Sequence, residues 1–495
     1  LPWQGLLSLN MHHNGGFSYD LNIDSGLEGT ELTLPAPYTK NTADHVSVVA
    51  NVAGQRTQSP INIALGDQLT FYGVLNHEKV QLSRSHLVLG DEQMLLPMDG
   101  FHITTKLEQA DIAQWEPLIA DILISVPDQT SSHSLIERPE RIRGNIANVQ
   151  FLGQEFTNVS FNLVDQDNWW LLRVNAKEAR SEIKFYPDMK VQGIDIDADF
   201  IKLTLANEST TALANDPTES EEIVELKTTF TEQQTQTFFN DLPPMRVQCD
   251  SCQLGQIDFG ELSFDIKRDN EQLITLNNFK ANRAGTKLQL DGSWAFQSGV
   301  TSQTTLNGQL SVKDIEQEVE RLGYASVIKD SGLKTEFDIN WASGPHEFTL
   351  ASLNGDVNVN LDDGYLADVS DKGARIFSIL SLQSLVRKLT FDFRDIFSDG
   401  MFYSSIKADV QIKDGTLYTD NVRMKGAAGD LSVKGNTELT QGVLDYRMSY
   451  KPNLTSSLPV LAWIATLNPY TFLAGVAIDE VFTSKVVSEF NFELT

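Results

Sequence analysis

Few residues in this 495-residue chain are spaced for chemistry. Cys249 and Cys252, the only cysteines, form the motif CDSC. Two thiols at this spacing serve a redox motif, half a metal site or a short-loop disulfide. A thioredoxin-like motif opens a helix after a strand, whereas here QLGQIDF follows, which alternates as a strand does. A zinc site needs two more ligands, and no other His or Cys lies near in sequence. A structural disulfide or an idle thiol pair is therefore favoured over catalysis, and a disulfide suits an oxidising compartment. Asp195, Asp197 and Asp199 begin like a calcium loop, but that loop needs Gly at its sixth position and Glu at its twelfth. Phe200 and Ala206 stand there instead, so a solvated strand face is the better reading. His12 and His13 are adjacent, and a strand would send them to opposite faces. The chain has no nucleophile elbow, no P-loop, no HExxH and no GxGxxG. The sequence predicts no enzyme, no metal and no cofactor. Pairs of acids are common only because there are 67 Asp and Glu. A charged cluster facing into a sheet would revive a hydrolase.

The elements that would position any site are overwhelmingly strands. LLSLNM, FSYDLNI, HVSVVANV, INIALG and LTFYGVL alternate apolar with polar residues and are punctuated by Gly, Asn, Asp or Pro. In GIDIDADFIKLTL, Ile194, Ile196, Ala198 and Phe200 read to one side and the three Asp to the other. Helical spacing appears briefly at Ile112, Trp115, Leu118 and Ile119, where Pro117 predicts a short or kinked helix. A longer amphipathic helix is expected from Asp371 to Leu389, with Ile376, Leu380 and Leu382 on its apolar face. Phe391 and Phe393 then alternate as a strand. Residues 206–223 are polar and acidic and read as a loop. From Leu458 to Ile478 there is no charge, but Pro459, Asn468 and Pro469 break the run into two half-helices. That segment either covers or closes the apolar sheet, touches a membrane interface, or spans a membrane. Leu461, Trp463, Ile464, Phe472 and Leu473 are its candidate contacts.

Degenerate repeats run through the chain. FTNVSFNL (156–163) aligns with FGELSFDI (259–266), KLEQADIAQW (106–115) with QLSVKDIEQE (309–318), and NFKANRAGTKLQLDG (278–292) with NVRMKGAAGDLSVKG (421–435). Four β modules are expected, at 1–125, 126–240, 241–345 and 346–495. A net charge of −29 and a pI near 4.6 repel a phosphate track, so nucleic acid is set aside as a partner.

Three stretches carry a family resemblance: ASLNGDVNVNLDDGYL (351–366), RIFSILSLQSLVRKLTFDFRDIFSDGMFYSSI (375–406) and KDGTLYTDNVRMKG (413–426), with SGLEGTELTLPAPYTK (25–40) near the start. The chain resembles the C-terminal portion of the AsmA-like envelope proteins of Gram-negative bacteria, in the YhdP branch. The opening, LPWQGLLSLN, has no basic leader and reads as mid-protein sequence. The resemblance implies a preceding part with an inner-membrane helix, a periplasmic location, and contact with the outer membrane near the C-terminal end. It also implies a mainly β fold: an elongated, twisted, curled antiparallel sheet forming a taco-like groove, with a few short amphipathic helices. The implied activity is bridge-like transfer of phospholipid between the two membranes, with phospholipid or fatty acid as cargo. Exposing about thirty chain carbons at about 0.8 kcal/mol per methylene costs on the order of 20 kcal/mol, which a continuous apolar surface removes. The expected lining is Ile196, Phe200, Leu262, Phe264, Ile266, Leu288, Leu290, Phe337, Ile339, Phe391, Phe393, Val410 and Ile412. Parity alone does not say which face is inner. The alternatives are an outer-membrane protein assembly factor of TamB type, a β-sandwich core, or an envelope scaffold.

Overall fold

The computed structural model describes residues 2–13, 16–90, 99–124, 138–166, 168–204, 235–236, 239–240, 242–296, 302–322, 326–367, 401–427, 429–440, 443–452 and 490–494. The chain divides into two units, Leu1–Ala214 with Pro243–Asp258, and Asn215–Leu242 with Phe259–Thr495. Both are mainly β with few short helices, as the alternation requires.

The first unit is built on thirteen strands: β1 (Trp3–Met11), β2 (Phe17–Ser25), β3 (Val48–Gly54), β4 (Gln58–Leu65), β5 (Leu69–Asn76), β6 (Gln81–Gly90), β7 (Gly100–Asp111), β8 (Arg141–Phe151), β9 (Gln154–Asp165), β10 (Trp170–Asn175), β11 (Ala179–Phe185), β12 (Ile194–Leu203) and β13 (Met245–Leu254). Each pairs with the next in the chain. Nine of these twelve pairings are antiparallel. Three are parallel: β6 with β7, β7 with β8, and β12 with β13. The antiparallel sheet expected from the sequence is thus borne out, with these three parallel pairings inside it. Parallel neighbours need long crossovers, and two of the three connections, 112–140 and 204–244, are long. One contains the helix Ile112–Ile124, with Pro117 inside it. The acidic segment 206–223 falls in another and lies outside the described residues.

The second unit's main sheet runs β14 (Ile257–Asn270), β15 (Leu273–Arg283), β16 (Thr286–Ala295), β17 (Gln303–Val312), β19 (Leu333–Trp341), β20 (Asn354–Leu361), β23 (Ser405–Lys413), β24 (Thr416–Lys425), β25 (Gly429–Glu438), β26 (Val443–Pro452) and β27 (Phe490–Leu494). All ten pairings are antiparallel. A small second sheet joins β18 (Ile328–Lys329), β21 (Gly364–Leu366) and β22 (Met401–Tyr403).

The repeats have a local physical counterpart. The aligned Asp111 and Asp314 each stand where a strand hands over to a helix. Asp111 Oδ1 accepts from the Ala113 amide and Asp314 Oδ1 from the Gln317 amide, satisfying amides that the first helical turn leaves open. The third aligned pair forms two equivalent hairpins, β15 to β16 and β24 to β25. The helix expected at 371–389, the strand at 389–394 and the apolar segment 454–482 lie outside the described residues.

Candidate functional site: an apolar sheet face

Strand pairing aligns apolar residues into rows that cross every strand of the first unit. Gly5 stands opposite Ile23, and the row continues through Ala50, Ile63, Phe71, Leu87 and Ile103. Ile142, Leu163, Leu172, Ile183, Ile196 and Val247 carry it to the last strand. At 4.7–4.9 Å between strands, twelve steps give a row of roughly 57 Å along the sheet. Half a bilayer's hydrocarbon core is about 15 Å thick, so the row exceeds the reach of one lipid tail several times over.

The second unit repeats the pattern. Ile266, Leu276, Gly292, Leu306, Ile339, Gly355, Ile412, Leu417 and Thr437 stand opposite one another in turn. A neighbouring row holds Phe279, Leu290, Gly308, Phe337, Val357 and Val410. A third holds Leu262, Ala281, Leu288 and Leu310. Phe264 sits at a shared bulge and stacks on Phe279, centroids 6.0 Å apart. The sequence-predicted Leu262, Phe264, Ile266, Leu288, Leu290, Phe337, Ile339, Val410 and Ile412 therefore share one face of one sheet. Gly308 and Gly355 belong to its surface because a Cβ there would lie 2.3 Å and 2.1 Å from the carbonyl oxygens of Gln289 and Asp338.

In the first unit the prediction divides. Ile196 lies in the apolar row, but Phe200 does not. The pairing of β11 with β12 shifts between Arg180 and Ser181, so Ser181 opposes Ala198 while Arg180 opposes Phe200. One extra residue reverses the parity beyond it. Phe200 thus joins the polar side, where the Arg180 guanidinium and the Lys202 ammonium lie 5.6 Å and 6.0 Å from its ring centroid. The same irregularity reaches β13. Cys249 pairs with Ala198 and Cys252 with Ile201. Both cysteines are buried, although residues three apart in a regular strand point to opposite faces. They are joined as a disulfide, Cα to Cα 6.0 Å. Phe391, Phe393, Leu461, Trp463, Ile464, Phe472 and Leu473 lie outside the described residues.

The face is roofed in places. In the second unit the small sheet lays Leu366, Met401 and Tyr403 against Leu361, Met424, Leu431 and Met448. Farther along, the connection after β19 packs Phe348 and Leu350 with Trp341, Leu353 and Ile412. Leu288, Leu290, Leu310 and Phe337 are half-buried and belong to neither cluster. In the first unit Tyr38 and Trp115 cover Leu107, Ile146 and Val159, their rings edge to face at 6.0 Å. Ile23, Ile63, Phe71 and Leu87 stay half-buried outside the packed clusters. Among the described residues, the only sheet laid on either main sheet within its unit is the three-stranded one, so neither unit is a β-sandwich there. Of the roofing residues only Trp115 stood out in the sequence, through its helical spacing; Tyr38, Phe348, Leu350, Met401 and Tyr403 did not.

Burial leaves its mark on the roofing and lining phenols. It pushes the hydroxyls of Tyr38 and Tyr450 up to about 12, with the Asp430 carboxylate adding to the effect at Tyr450. The opposite face is polar. Asn358 and Asn421 both donate to the Asp409 carboxylate and hold its pKa below the usual range. A concavity of about 1290 Å³ lies over this face, where Gln289, Asp291, Asn307, Glu336 and Asp338 alternate with the apolar rows. Among the described residues the apolar face is thus a band between roofs, distinct from this concavity. Two largely buried ion pairs, Arg138 with Asp165 and Arg283 with Glu318, stand at strand ends. Among the described residues no group of His, Cys, Asp and Glu is placed to hold a metal ion, and no helix is long and apolar enough to cross a membrane.

A family model described as YhdP protein matches residues 1–495. The chain belongs to the YhdP protein family. It is 24% identical over 487 residues to the intermembrane phospholipid transporter YhdP of Escherichia coli (strain K12), an alignment covering 97% of this chain and 36% of that protein. The chain therefore spans little more than a third of the length of the curated relative it matches. No solved structure matches it.

Proposed function

We propose that the apolar band carries the acyl chains of phospholipid, and that the chain is part of a periplasmic bridge moving lipid between the inner and outer membranes. The observation that carries this reading is the uninterrupted row from Ile23 to Val247, in which Ile23, Ile63, Phe71 and Leu87 are roofed by none of the described residues' packed clusters. A pocket for one bound lipid needs a closed end. A row much longer than a tail, made of interchangeable Ile, Leu, Val and Phe, holds a chain equally well at each step. Burial is non-directional, so a tail slides without breaking fixed bonds, while head groups stay in water at the edge of the band. Similarity to an intermembrane phospholipid transporter supports phospholipid as cargo. Transport of this kind needs no covalent step and no catalytic residue. The test is mass spectrometry of an organic extract of the purified protein. Phospholipid should co-purify at a defined ratio to protein. Lipid no more abundant than on a similarly purified control would overturn the proposal and favour the assembly factor or the scaffold.

A further inference from the structure

On the polar face of the first unit, four of the chain's sixteen arginines line one concavity of about 830 Å³. This is unexpected in a protein whose acids so outnumber its bases. The register explains how they meet. Arg143 on β8 stands opposite Asn162 on β9, which stands opposite Arg173 on β10. Two strand spacings, about 9–10 Å, separate the two arginines, so both long side chains can reach over Asn162. One row along, Asn145, Ser160, Asn175 and Arg180 stand in the same order.

The acids in the concavity do not neutralise this group. Arg173 pairs with Glu182 at 2.7 Å and Arg180 with Asp199 at 3.6 Å, which leaves Asp197 as the remaining carboxylate. Arg141 and Arg143, two apart on β8, are exposed and have no ion-pair partner among the described residues. Asn162 lines the concavity between the two arginines, and its side-chain amide carries two N–H donors. Guanidinium groups supply forked donors that match the oxygens of a phosphate. The concavity is too large for a bare phosphate and falls in the range of small-molecule sites. Its remaining lining of Asn and Ser suits hydroxyl groups.

We propose that Arg141, Arg143 and Arg173, with Asn162, form a binding site for a phosphate ester carried on a small hydroxylated body, on the face of the sheet opposite the apolar band. The same chemistry is presented by a soluble glycerol or sugar phosphate and by a glycerophosphate head group at a membrane surface.

The test is calorimetric titration of the whole chain with glycerol 3-phosphate, beside flotation with vesicles of phosphatidylglycerol or of phosphatidylcholine. Saturable binding of the soluble ester at one site per chain is expected, weakened about ten-fold or more in Arg143→Gln and in Arg173→Gln. Arg141→Gln should shift it in the same direction, and Lys434→Gln in the second unit should not. Circular dichroism spectra should match the parent throughout. Binding of the ester without flotation assigns the site to a soluble ligand, and arginine-dependent flotation on phosphatidylglycerol alone assigns it to a head group. No saturable binding of either probe, or equal binding by the arginine variants, overturns the proposal. Lipid co-purifying with Arg143→Gln at the parent level separates this site from the acyl band.

Discussion

Replacing Phe337 by Glu sets a charge in the apolar row between Gly308 and Val357. Phe337 is flanked across the strands by Gly308 and Val357, and the packed clusters on this face do not include it. Because the site is half-buried, the carboxylate stays hydrated while the band is empty. The fold then loses only the partial burial of one phenyl ring, about 1–1.5 kcal/mol. A tail lying across the site changes the balance. The carboxylate must shed its water or hold the chain away, and either outcome exposes on the order of four methylenes. At about 0.8 kcal/mol each this is about 3 kcal/mol, or more than a hundred-fold in local occupancy. The assay is phospholipid content by mass spectrometry, with transfer of labelled lipid between donor and acceptor vesicles. Phe337→Leu keeps the surface apolar and should behave as the parent. A Phe337→Glu protein that is folded yet loads and transfers lipid at the parent level would refute the assignment of this face.

The bulge in β12 supplies a sharper comparison within one strand. Ile196→Glu should lower lipid content, while Phe200→Glu should leave it unchanged, because the two side chains leave the sheet on opposite sides; equal losses in both would remove the case for a single lipid-bearing face. A third prediction concerns alkali. Tyr38 and Tyr450 stay protonated in the fold to about pH 12, whereas an unfolded tyrosine releases its proton near pH 10. Above pH 10 the unfolded chain binds fewer protons than the native one, so the stability these groups contribute is complete below pH 10 and is lost as pH rises toward 12. Ultraviolet titration of tyrosinate should show at least two late-titrating phenols, and Tyr450→Phe should remove one; its removal with no change in the late phase would contradict the burial.

Much of this protein is legible in its letters. Alternation in segments such as INIALG and KTEFDINW specifies strands and tells which residues share a side, because side chains in a strand repeat every second residue. That periodicity placed Leu288 with Leu290, and Phe337 with Ile339, on one side of their own strands; the pairing of both strands with β17 joins the two pairs. The aligned Asp111 and Asp314 likewise mark helix starts from purely local chemistry. Three features needed the tertiary structure. Phe200 changed sides because an irregularity in pairing with β11 exists only between strands and leaves no trace in β12's own alternation. The cysteines share a face for the same reason. The roofs over the apolar band, Tyr38 from one loop and Met401 and Tyr403 from a three-stranded sheet, depend on where connections land after the chain has folded. Local periodicity decides what a strand offers to each side; contacts between segments far apart in the chain decide which part of that offer stays open.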